Sequence, residues 1–130
     1  MSFAGFFVDE DTLALAGLPD VVHPGHPRLA DIPRETADRV WIPIIARLGL
    51  ILVTRDKRIR REPAERSAFE NAGVRGFVIT TSNMRSNDLR GLFIEHAPAM
   101  RAMATDQPRG PWLYAVTRTR IGPQVVPTPG

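Results

Sequence analysis

The chain has no cysteine. That excludes disulfides and thiolate metal sites, and it leaves hard oxygen donors as the main metal chemistry open to it. No apolar run approaches the roughly 18–20 residues that span a bilayer, so no membrane partner is expected. The N-terminus, MSFAGFFVDEDT, has no basic segment and meets acid at Asp9. It is not expected to be a signal peptide, and a cytoplasmic location is the expectation. There is no Walker loop, no G-x-G-x-x-G fingerprint and no nucleophile elbow. What remains is 130 residues, enough for one core and one domain spanning 1–130.

The net charge of +3 becomes informative when divided. Residues 1–54 hold seven acids and four Arg, a balance of −3; residues 55–130 hold seven acids and thirteen bases, a balance of +6. An acidic front and a basic back suit a polyanion partner with a metal between. Composition alone offers a simpler source, since 16 of the 17 bases are Arg.

Apolar runs at 3–8, 50–54, 76–80 and 111–116 read as buried strands, with a short strand at 20–22 and a hairpin strand at 121–126. Helices are expected from Thr12 to Ala16, from Pro33 to Leu48, from Pro63 to Gly73 and from Asp88 to Ala104. Pro43 and Pro98 predict kinks or breaks. Arg55–Arg61 reads as a charged turn, and the tail from 118 as a hairpin or a frayed end. The alternation predicts an α/β fold with a parallel sheet covered on both faces and right-handed crossovers. In such sheets ligands bind beyond the carboxyl ends of the strands.

Two of those ends carry acid: Val8 is followed by Asp9-Glu10-Asp11, and Thr54 by Arg55-Asp56. A lone Asp after a strand is usually a turn residue. Two at one sheet edge repel unless a cation intervenes, and oxygen donors suit Mg²⁺ or Mn²⁺. Asp38 starts the long helix, where an acid also suits the helix dipole. Glu10 and Asp11 either join the site or cap the following helix. The run Arg55-Asp-Lys-Arg-Ile-Arg-Arg61 places five bases around one acid, suited to backbone phosphates. His23 and His26 flank Pro-Gly, a rigid loop first and a metal site second.

The segments FFVDED, TADRVWIPIIARLG and LILVTRDKRIRREPAE resemble the PIN-like domains, close to VapC-type toxin ribonucleases of a reduced type. The resemblance covers about residues 3–80. It implies a three-layer α/β/α sandwich with a mainly parallel central sheet, Mg²⁺ or Mn²⁺ at clustered acids, and cleavage of single-stranded RNA by metal-activated water. Asp9, Asp38 and Asp56 match the catalytic and metal-binding acids, with Glu10 or Asp11 as weaker candidates. Arg55, Lys57, Arg58 and Arg61 would position RNA. A fourth position falls among Thr81, Ser82, Asn83 and Asp88. An antitoxin protein is an implied partner, as is a homodimer to which an exposed Trp112 or Phe93 would contribute. Two other readings stay open: a non-catalytic RNA- or protein-binding module, and a hydrolase using His23 or His26.

Overall fold

The computed structural model describes residues 3–56, 58–81 and 84–126. Six strands form one sheet: β1 (Phe6–Val8), β2 (Val21–Val22), β3 (Ile51–Thr54), β4 (Arg75–Ile79), β5 (Trp112–Val116) and β6 (Ile121–Val126), in the order β2-β1-β3-β4-β5-β6. All neighbours are parallel except β5 and β6, which form the expected antiparallel hairpin. The proposed tail beyond residue 126 lies outside the described residues.

Successive strand residues face opposite sides, and each side has its own core. Phe6, Val8, Ile51, Val53 and Phe77 pack with Leu15 of a 3-10 helix (Glu10–Leu15) and with Leu89, Phe93 and Met100 of α4 (Ser86–Asp106). Phe7, Leu52 and Val78 pack on the other side with Trp41, Ile42 and Ile45 of α1 (Asp38–Leu48), Ile59 of α2 (Arg58–Arg61) and Phe69 of α3 (Pro63–Ala72). This is the three-layer α/β/α arrangement with a mainly parallel sheet. Helices α1 and α3 both stop at a glycine in the left-handed region, Gly49 at φ 72° and Gly73 at φ 75°, where a side chain would be strained.

Several local expectations are corrected. The long helix does not begin at Pro33, because Glu35 takes φ 68°, incompatible with a right-handed helix, and winding starts only at Asp38. Neither Pro43 nor Pro98 divides its helix. Both rings are exposed, so the carbonyl each leaves unpaired one turn earlier lies on the solvent side of its helix. The charged run is not a turn throughout: Arg58–Arg61 is the short helix α2, anchored by Ile59 at 1% exposure. Trp112 and Phe93 are buried, so neither offers a dimer contact. The Trp112 indole N–H donates to the Gln107 carbonyl at 3.0 Å, and the ring meets Phe77 edge-on.

Arg75, at the start of β4, donates to the carbonyls of Ala104, Gln107 and Gly49 and so ties the ends of α1 and α4 together. Arg75→Met keeps the aliphatic stem but leaves those carbonyls without their donor. It is expected to cost about 2 kcal/mol in urea unfolding, without changing the opposite, carboxyl edge of the sheet. A loss of a few tenths only would show that water replaces the guanidinium.

Candidate active site

The crossover from β1 leads to β2 on one side, through the 3-10 helix; that from β3 leads to β4 on the other, through α2 and α3. The two connections diverge, and a crevice opens beyond the carboxyl ends of β1 and β3. A cleft of about 700 Å³ occupies it. Asp9, Glu10, Asp11, Asp38 and Asp56 line it together with Arg58, and His23 and Arg34 line it from the loop joining β2 to α1. The three acids expected to act together therefore share one cavity, although they come from three different elements.

Asp9 is 6% exposed and held by two hydroxyls. The β1–β3 register pairs Val8 with Val53, which brings the following residues, Asp9 and Thr54, level. The Thr54 hydroxyl donates to Asp9 Oδ2 at 2.6 Å, and the Asp56 amide donates to the same Thr54 oxygen at 3.0 Å. Thr12 Oγ1 accepts the Asp9 amide at 3.2 Å. It lies 2.8 Å from the Val53 carbonyl and 3.0 Å from Asp9 Oδ1. A hydroxyl has one proton, so it cannot donate to both. A proton on Asp9 Oδ1, donated to Thr12 while Thr12 donates to Val53, satisfies every member. Burial raises the Asp9 carboxyl from 3.8 to about 6, against the lowering by Thr54 and Thr12 and with help from Asp11 and Asp38.

Asp38 and Asp56 are joined by Arg58. Its Nη2 donates to Asp56 Oδ2 at 2.7 Å and to Asp38 Oδ2 at 3.3 Å, and its Nε lies 3.1 Å from both Asp56 oxygens. Its backbone amide donates to Asp56 Oδ1 at 2.9 Å. Burial would raise the Asp56 carboxyl, but the side-chain and backbone hydrogen bonds from Arg58 outweigh it and hold the group below its usual range. Asp38 is displaced the other way, because burial outweighs the attraction of Arg58 and Asp56 adds repulsion.

The basic residues are arranged differently from a simple phosphate track. Arg58 faces the acids. Arg55 reaches the Thr81 carbonyl at 3.4 Å, and Arg61 is exposed outside the cleft. Lys57, Ser82 and Asn83 lie outside the described residues. Thr81 and Asp88, the remaining candidates for a fourth position, do not line the cleft. Glu10 and Asp11 are both exposed at its rim, and Asp11 is the one that raises Asp9 and Asp38.

In sequence, Thr12 and Thr54 look like ordinary helix and strand-end residues. Glu65 is equally unmarked. This half-buried residue in the first turn of α3 is raised by burial first and then by Asp38 and Asp56. An acid two residues after the helix-starting Pro63 was the only signal. His23 keeps a ring nitrogen 2.9 Å from the Pro24 carbonyl, and its ring stands edge-on to His26 at 5.4 Å. The pair does not converge with the acids on one point: among the described residues no group of three or more His, Asp or Glu stands ready to hold a metal ion.

A twisted parallel sheet with helices on both faces, and carboxylates gathered at the point where its crossovers diverge, defines an α/β protein with its site at the strand ends. Residues 5–81 match the family model described as PIN like domain, and the chain belongs to that family. That span contains β1 to β4 and every acid of the cleft. PIN-like domains are a superfamily of nucleases. No curated protein and no solved structure matches the chain significantly.

Proposed function

We propose that this protein is a metal-dependent endoribonuclease that cleaves single-stranded RNA, the toxin of a toxin–antitoxin pair acting in the cytoplasm. The observation that carries this reading is that Asp9, Asp38 and Asp56 line one cleft at the divergence of β1 and β3, although their carboxylates are not drawn to a common point as they stand. The donor set fits a hard divalent cation. All three are carboxylates, the Asp9 carboxyl has the Thr12 and Thr54 hydroxyls as partners and no cation in contact among the described residues, and Asp38 is raised by burial, with Asp56 adding repulsion. Asp9, Asp38 and Asp56 would hold Mg²⁺ or Mn²⁺. Bound there, the ion supplies Lewis acidity toward water and toward the phosphate oxygens.

The chain's own groups do the rest. With the cation bound, Asp9 stays ionised as one of its ligands. A water oxygen bonds to phosphorus as the bond to the 3′-oxygen breaks, and the water's proton passes to solvent. The products are a 5′-phosphate and a 3′-hydroxyl, the latter protonated from solvent. Thr54 fixes the Asp9 carboxyl and, through the Asp56 amide, the start of the next loop. Arg34 and His23, which also line the cleft, would orient the strand.

The test is cleavage of a single-stranded RNA with Mn²⁺ or Mg²⁺ and with EDTA. Wild type should cleave only with metal, and Asp56→Asn should lose about two to three orders of magnitude. Undiminished cleavage by the variant would remove Asp56 from the site. A second reading is favoured by the Arg58 bridge, which already neutralises two of the acids: a non-catalytic RNA- or protein-binding module. It expects salt-dependent RNA binding with no metal-dependent turnover.

A further inference from the structure

The cation already in contact with the acids is Arg58, and its side chain is placed so that it can leave. The guanidinium occupies both oxygens of Asp56 and one oxygen of Asp38. Asp56 is buried, at 7% exposure, whereas the Arg58 side chain is 54% exposed and borders the open cleft. The two hydrogen-bond sets of Arg58 are also separable. Its amide bond to Asp56 Oδ1 belongs to the start of α2 and does not depend on where the side chain points.

While the guanidinium stays, a second cation at Asp56 meets like charge at hydrogen-bond distance. The same guanidinium, turned away, is a planar fork matched to a phosphodiester. We propose that Arg58 is an exchangeable counter-ion. It neutralises Asp56 and Asp38 in the resting protein and passes to an RNA phosphate when a divalent cation takes those carboxylates. Metal and RNA then bind cooperatively, by equal factors in both directions, because each removes the competitor of the other. This rests on the nuclease reading above. It adds that one base of the charged run, Arg58, is a switchable residue.

The experiment is a Mn²⁺ titration of the full chain, followed by the electron paramagnetic resonance signal of free Mn²⁺. It is run with and without a 2′-O-methyl single-stranded oligonucleotide. In wild type the oligonucleotide should tighten Mn²⁺ binding about tenfold, and Mn²⁺ should tighten oligonucleotide binding by the same factor. Arg58→Gln keeps hydrogen-bond donors and loses the charge. It should bind Mn²⁺ about tenfold more tightly alone, and the oligonucleotide should add clearly less than it does to wild type. Arg58→Lys keeps the charge and should bind Mn²⁺ nearly as wild type does. Far-UV circular dichroism verifies that each variant is folded. If Arg58→Gln gains no Mn²⁺ affinity, or keeps the oligonucleotide effect, the counter-ion role is wrong while Mn²⁺ binding and RNA cleavage by wild type leave the nuclease reading standing. If wild type takes up no Mn²⁺ and cleaves nothing, both fall together.

Discussion

Asp9→Asn is expected to stabilise the metal-free protein while strongly reducing RNA cleavage. The Asp9 carboxyl is raised from 3.8 to about 6 by burial, so the folded state favours its protonated form. A raised carboxyl supports folding fully below the unfolded-state value of 3.8, and that support is lost as pH rises through about 6. Above that window the buried charge costs about 3 kcal/mol relative to a neutral isostere. Asn supplies the neutral group: its Nδ2 can donate to Thr12 Oγ1, and its Oδ1 can accept from Thr54, the same two partners Asp9 has. Thermal unfolding in EDTA should therefore show no gain for the variant at pH 4 and a full gain at pH 7.5. RNA cleavage should fall by about two to three orders of magnitude. A variant less stable than wild type at pH 7.5 would mean that Asp9 is ionised and well solvated.

Trp41→Ala is expected to be the most damaging single change near the cleft. The indole is 2% exposed, packs against Phe7 with ring centroids 4.8 Å apart, and lines the cavity. Its removal opens a void under the cleft and should cost about 3–5 kcal/mol. It should also loosen Asp38, which starts the same helix and whose burial-raised carboxyl the neighbouring indole draws partly back. Urea unfolding gives the first effect. Weaker Mn²⁺ uptake by protein that is still folded gives the second. A loss below about 1 kcal/mol would show that the surrounding helices collapse into the space.

The layered fold was legible because the strands of a parallel sheet are buried on both faces. Ile51–Thr54 and Gly76–Ile79 therefore stand out as continuous apolar runs. Helix onset was less legible: Pro33 suits a first turn, but the positive φ of Glu35 is set by the loop and leaves no mark in residue type. Helix α2 is a single turn with one buried residue, Ile59, and no periodicity can show in four residues. At the site, Asp9, Asp38 and Asp56 were visible as acids at element ends. What sequence could not show is direction. A run of bases looks the same whether it faces RNA or its own carboxylates, and it is the local turn after β3, where the Arg58 amide donates to Asp56 two residues earlier, that puts Arg58 on Asp56. Thr12 and Thr54 were hidden for a related reason. Threonine is an ordinary strand residue, and its role here comes from the β1–β3 register.

Whether the three Asp form a divalent-metal centre is decided by a crystal structure of the protein soaked in Mn²⁺, with anomalous scattering recorded at the manganese edge. Manganese is expected in the cleft, ligated by oxygens of Asp9, Asp38 and Asp56, and none there in Asp56→Asn crystals. A cleft without manganese at saturating Mn²⁺, or manganese bound only at His23 and His26, would contradict it.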